Sequence, residues 1–183
     1  MNRNKYQSNL KYMILSALFA AMIYVMTAFV HIPTQQGYVH IGDGIIYLAA
    51  ALLPMPYAMS AAAIGAGLSD YLSGYAIWVL PTVIIKAATA AVFTSKKEKI
   101  LDKRNLLSII PAGIICVGGY YVSGVLLSIL SGSAAGAAFA SALADIPTNI
   151  IQVVGSAVLF IVSGGAFDKS GLKHRLDSSA HLT

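Results

Sequence analysis

Apolar residues run through this chain in long blocks that polar residues break at a few points only. The first block spans 12–30 and follows a polar, basic start. Next comes HIPTQQGYVHIGDG, residues 31–44, a turn-rich segment with Pro33, Gly37, Gly42 and Gly44 and no Lys or Arg. A short block at 45–53 is stopped by Pro54 and Pro56, and the block at 57–72 is crowded with Ala and Gly. A membrane core about 30 Å thick takes roughly 20 helical residues. The blocks therefore predict six transmembrane helices, at about 11–30, 44–53, 56–72, 76–94, 106–130 and 146–164. Together they form one all-α membrane domain over 1–183, with a cytoplasmic loop at 95–105 and a tail at 165–183. The second helix is short enough to be tilted or partly re-entrant. The linker at 131–144, rich in Ala, Gly and Ser, is either a short helix of its own or an extension of the sixth.

Polar residues inside these blocks fall on stripes. On a helix over 76–94, Trp78, Thr82, Lys86 and Thr89 follow one another at steps of four, four and three, which stacks them on one face. A lysine in an apolar helix is costly unless it meets a partner or a wet cavity, so this stripe faces inward. Asp145, Asn149, Gln152 and Ser156 make a second stripe at steps of four, three and four. Both are densest toward one end of the bundle, which favours a shared cavity over separate helix-to-helix hydrogen bonds. Tyr38, Tyr71, Tyr75 and Trp78 sit at that same level, as an interfacial belt or as rings for a planar ligand. Asp43 and Asp145 precede helices, where a carboxylate can cap free N–H groups. Asp70 ends a helix, where the dipole disfavours an anion, so it calls for a partner. Lys86 is the candidate, as a structural pair or with both groups on a ligand. The predicted site is Asp70, Tyr71, Tyr75, Trp78, Thr82, Lys86, Asn149 and Gln152, holding a small, planar, largely neutral molecule.

Composition agrees with a membrane protein: 57% of the 183 residues are hydrophobic and 10% are charged, where a soluble domain carries about 25% charged residues. The net charge of +5 comes from three basic segments, at the N-terminus, at 96–104 and at 169–175. It reports topology and not nucleic-acid binding. The positive-inside rule puts all three in the cytoplasm, which requires an even number of crossings between neighbours. Four and two satisfy it. A single cysteine, Cys116, leaves no intrachain disulfide.

The chemistry of enzymes is missing. There is no G-x-x-x-x-G-K-[ST] phosphate loop, no H-E-x-x-H and no Cys/His pairing, and no predicted helix contains a histidine. His31 and His40 sit in the first outer loop, too little for a metal site. Neither a cofactor nor a metal is expected. Small residues recur at steps of four, as Ala17 and Ala21 in the first helix and as Ala61/Gly65 and Ala62/Ala66 in the third. Such spacing lets helix backbones approach closely, inside this bundle or against another membrane protein.

In order along the chain, ALFAA with Ala17 and Ala21, VHIGDGIIYLAAALLP, GLSDYLSGYAIWVLPTVIIKAA and DIPTNIIQ resemble the substrate-binding S components of energy-coupling factor (ECF) vitamin transporters. The likeness covers nearly the whole chain. It implies a six-helix bundle with both termini inside and a high-affinity capture subunit for a vitamin or precursor in a bacterial cell membrane. Within the family the likeness leans toward hydroxymethylpyrimidine, thiamine-related or pyridoxine-like compounds. It implies that Ala17 and Ala21 dock on a transmembrane coupling (T) subunit, and that two cytoplasmic ATPases, not this chain, use the ATP. Two other readings stand beside it: a proton-coupled secondary transporter with a Lys86–Asp70 relay, and a small intramembrane enzyme, which the absent catalytic set disfavours.

Overall fold

The structure is a computed structural model and describes residues 3–33, 38–171 and 173–174. Gly37 and most of the predicted tail, including Arg175 and His181, lie outside the described residues. The chain is mostly helical: α1 (Arg3–Ala28), α2 (Asp43–Leu52), α3 (Met55–Leu72), α4 (Val79–Ala91), α5 (Lys103–Leu130), α6 (Ala135–Ala144) and α7 (Ile146–Ser170). A single 3-10 turn, Ala76–Trp78, leads into α4, and strands β1 (His31–Pro33) and β2 (Tyr38–His40) join α1 to α2. Among the described residues, three segments are long and apolar enough to cross a membrane unaided: Gln7–Ala28, Lys103–Leu130 and Ala135–Ser170.

Helix ends follow from local chemistry. Leu53 precedes Pro54 and is extended, at φ −101° and ψ 150°, because a residue before proline is driven out of the helical region. α2 stops there, and α3 starts at once with proline in its first turn. Gly74, at φ +88°, makes the reversal between α3 and the 3-10 turn. Asp102 caps α5 by accepting the Arg104 N–H at 2.9 Å. The linker at 131–144 proves to hold a helix of its own, separated from α7 at Asp145 by the proline in the first turn of α7. Gly171 ends α7 in the left-handed conformation at φ 65°. The helices also outrun the apolar blocks. α1 extends back to Arg3 and α7 on to Ser170, because hydropathy marks the lipid-facing part of a helix, not its ends.

α2 is the axis of the fold. All ten of its residues are buried, enclosed by α1, α3, α4 and α7. Close approach needs small residues. A Cβ on Gly44 would lie 2.7 Å from the Ser156 carbonyl of α7, and one on Gly65 would lie 2.5 Å from the Ala20 carbonyl of α1. The small-residue motif of α3 therefore packs inside this bundle, with Ala61, Ala62 and Ala66 fully buried. The motif of α1 does not. Ala17 and Ala21 are exposed, among the exposed Ile14, Leu18, Met22 and Val25.

Candidate functional site

Between the hairpin and the first turns of α4 and α7 lies a cleft with about 630 Å³ of empty space, counting what merges with the outside at its mouth. Tyr38 and His40 reach it from β2. They are two residues apart, and alternate residues of a strand share a face. α4 contributes Thr82, with Trp78 and Tyr75 just before it; α7 contributes Thr148, Asn149 and Gln152, with Asp145 just before it. Asp70 comes from α3 and Tyr120 from α5. One cavity thus takes Trp78 and Thr82 from the first predicted stripe and Asp145, Asn149 and Gln152 from the second, while Lys86, Thr89 and Ser156 are buried and do not line it.

Tyr38 ties the hairpin to α3. Its hydroxyl donates to Asp70 Oδ1 at 2.7 Å and lies 3.1 Å from Ser69 Oγ, and its ring centroid is 5.1 Å from that of Tyr75. Burial raises the Tyr38 pKa, so the hydroxyl keeps its proton to donate. Across the cleft, Thr82 Oγ1 and the Tyr120 hydroxyl are 3.1 Å apart, and Trp78 and Tyr120 face each other at 6.0 Å between ring centroids. Asn149 hydrogen-bonds to no other described side chain and presents a free amide edge.

Beneath the cleft is an ion pair. Lys86 Nζ lies 2.7 Å from Asp43 Oδ2, and both side chains are fully buried. Gln152 Nε2 donates to the same Asp43 oxygen at 3.1 Å, while its Oε1 accepts the His40 N–H at 3.4 Å. Cys116 lies 3.5 Å from Nζ. One helical turn further in, Tyr47, Phe93 and Phe160 pack together, with Tyr47 and Phe93 stacked at 4.8 Å. Below its lining the cleft is therefore closed, first by charge and then by rings.

Three sequence expectations need correction. Lys86 pairs with Asp43 and not with Asp70, because α2 runs between α4 and α7 and brings Asp43 to the lysine. Neither acidic residue placed as a cap makes a cap bond: α2 has Gly42 at its N-cap, with no side-chain bond, and Asp145 stands at the N-cap of α7 without one. Tyr71 is outside the site, 64% exposed on α3; one residue past Asp70 turns a side chain about 100° around a helix. His40, Tyr120 and Thr148 also line the cleft without having been predicted there, and Tyr38 and Asp145 were read only as a ring and as a cap or stripe member. Thr148 stands three residues after Asp145 and four before Gln152, so it shares their helical face, whereas α5 shows no periodic signal to single out Tyr120.

His40 makes the cleft sensitive to pH. It is buried, and its Nδ1 accepts the Gly42 N–H at 3.1 Å. Burial pushes its pKa down to about 4 from 6.5, against the pull of nearby Asp43. The unfolded chain thus binds a proton that the folded one refuses, so this contribution to stability is complete above about 6.5 and is lost as pH falls toward 4. Thermal melts of the detergent-purified protein should show a fall across that window that His40→Gln flattens.

Residues 7–168 match the family model described as "ECF-type riboflavin transporter, S component". The chain belongs to this family. A protein of Pyrococcus woesei, described as an uncharacterized protein in the gap 3' region, is 29% identical over 147 residues, which are 80% of this chain and 90% of that protein. The S component is thus a multi-pass membrane protein of a transport family, a substrate-capture subunit and not an enzyme by descent.

Proposed function

We propose that this S component captures a small, planar vitamin or vitamin precursor from outside through the cleft between the hairpin, α4 and α7. The observation that carries the reading is the form of the cleft: aromatic rings at the mouth, hydrogen-bonding groups on the walls and a sealed floor. Trp78, Tyr75, Tyr38 or Tyr120 stacks on the ligand ring, and Asn149, Thr82 and Gln152 bond its edge. Asp70 and Asp145 stand at the side, and Lys86 holds the floor through Asp43. The ligand is a ring compound of the class that includes riboflavin, named by the family model, and the pyrimidine and pyridine vitamins that the sequence resembles. As one membrane domain, the chain crosses a bacterial cell membrane six times with both termini inside, and it docks through Ala17 and Ala21 on a T subunit. Two partner ATPases hydrolyse the ATP; this chain needs no cofactor.

The proton-coupled reading loses its relay, since Lys86 is matched by Asp43 and sealed from the cleft. Reconstitution separates the two. Liposomes with S component, T subunit and both ATPases should accumulate ligand only with ATP, and the S component alone should bind without transport. Uptake by the chain alone under a pH gradient would overturn the proposal. Within the site, Asn149→Ala is expected to weaken ligand binding about tenfold, in line with the roughly 1–3 kcal/mol lost when a buried partner goes unsatisfied. It should leave the melting temperature unchanged, because Asn149 bonds no other described side chain. Calorimetric titration and a thermal melt check both halves.

A further inference from the structure

The lining of the cleft has a charge, and that charge selects among ring compounds. Among the described residues two carboxylates line it, Asp70 and Asp145, and no lysine or arginine does. The nearest ammonium, Lys86, is fully buried and 2.7 Å from Asp43 Oδ2, so its charge is already matched beneath the cleft. His40 adds no positive charge, for its Nδ1 is occupied in accepting the Gly42 N–H. Asp145 makes neither a cap bond nor an ion pair with a described residue, and its carboxylate is left to whatever enters. The rings act in the same direction. An aromatic face is negative at its centre and attracts cations, as the Tyr120 ring already does with Lys86 Nζ at 4.9 Å on its inner side. Trp78 and Tyr75 offer such faces at the mouth.

We propose that the cleft selects a flat heteroaromatic compound carrying a positive charge or a protonated amine, and rejects the phosphate ester of the same ring. This departs from the largely neutral ligand expected from sequence, and it rests on the cleft being the capture site. A cation there gains both carboxylates and the ring faces. A phosphate meets two like charges and no cationic partner in exchange for its water.

The protein supplies its own reporter, because Trp78 is the only tryptophan and lines the cleft. Ligand-stripped S component in detergent would be titrated at pH 7, following Trp fluorescence, with two matched series. One is 4-amino-2-methylpyrimidine bearing 5-aminomethyl, 5-hydroxymethyl or 5-phosphomethyl groups. The other is pyridoxamine, pyridoxine and pyridoxine phosphate. In at least one series the amine should bind tenfold or more tighter than the alcohol, with no response to the phosphate. Asp145→Asn, at a half-exposed position where folding is not at stake, should cut the amine-to-alcohol ratio severalfold, and Asp70→Asn should cut it further if that variant folds. An alcohol that binds as tightly as its amine, or a phosphate that binds at all, overturns the charge selection and leaves the cleft as the capture site. Silence from every compound, with riboflavin silent too, overturns the capture reading and this inference with it.

Discussion

Lys86→Met is expected to leave little folded protein, and adding Asp43→Asn to the same chain is expected to restore most of it. Removing one partner of a buried pair leaves an uncompensated charge, at a cost of about 3–5 kcal/mol. Against a typical total stability of about 5–15 kcal/mol, that is enough to empty the native state of a marginal protein. The double variant removes both charges, and the amide oxygen it places at position 43 can still accept from Gln152, whose Nε2 lies 3.1 Å from the Asp43 oxygen. The measurement is monodisperse yield and melting temperature for the two singles and the double. A coupling of several kcal/mol between the positions identifies the pair. Asp70→Asn in place of Asp43→Asn should rescue nothing, since the Asp70 carboxylate is held by Tyr38. Rescue through Asp70 would show that the lysine has the other partner in the membrane.

That experiment turns on the one point where sequence reasoning chose the wrong neighbour. The stripe of Thr82, Lys86 and Thr89 was legible because a period of three to four is a property of one helix, and all three side chains are buried. Which carboxylate meets Lys86 is a property of three helices. Asp43 and Asp70 both sit at helix ends on the hairpin side. A carboxylate in the first turn of a helix has a ready local explanation as a cap, so the local reading assigned Asp43 there and left the lysine to Asp70. Only the passage of α2 between α4 and α7 reverses this, and it depends on Gly44 lying against the Ser156 carbonyl. The hairpin was hidden for a different reason. Its strands are three residues each, too short for alternation to stand out, so Tyr38 entered the reading as a ring and His40 as a loop residue. Tyr71 fell on the wrong side for lack of helical phase: grouping by depth along the membrane counts a residue about 100° away as a neighbour.

Widening the face of α1 should abolish transport without touching capture. In lipid, association between helices gains little from apolar area and much from close packing, so small residues matter where backbones must approach. The motif of α3 has its backbone partner in α1. Ala17 and Ala21 have none among the described residues: both are exposed, within a strip of larger exposed apolar side chains. Lipid alone would accept any apolar residue there. Their small size therefore has a use when a helix of another subunit packs on this face, as the T subunit does in the proposed assembly. Ala17→Trp with Ala21→Trp adds bulk where the helices would meet, and overpacking of this kind costs about 1–3 kcal/mol at each contact. ATP-driven uptake by the reconstituted complex should fall by more than tenfold, while ligand affinity of the isolated S component stays within about twofold of the parent. Loss of affinity together with uptake would mean that the alanines support their own bundle. Uptake at the parent rate would mean that this face of α1 meets only lipid and that the T subunit docks elsewhere.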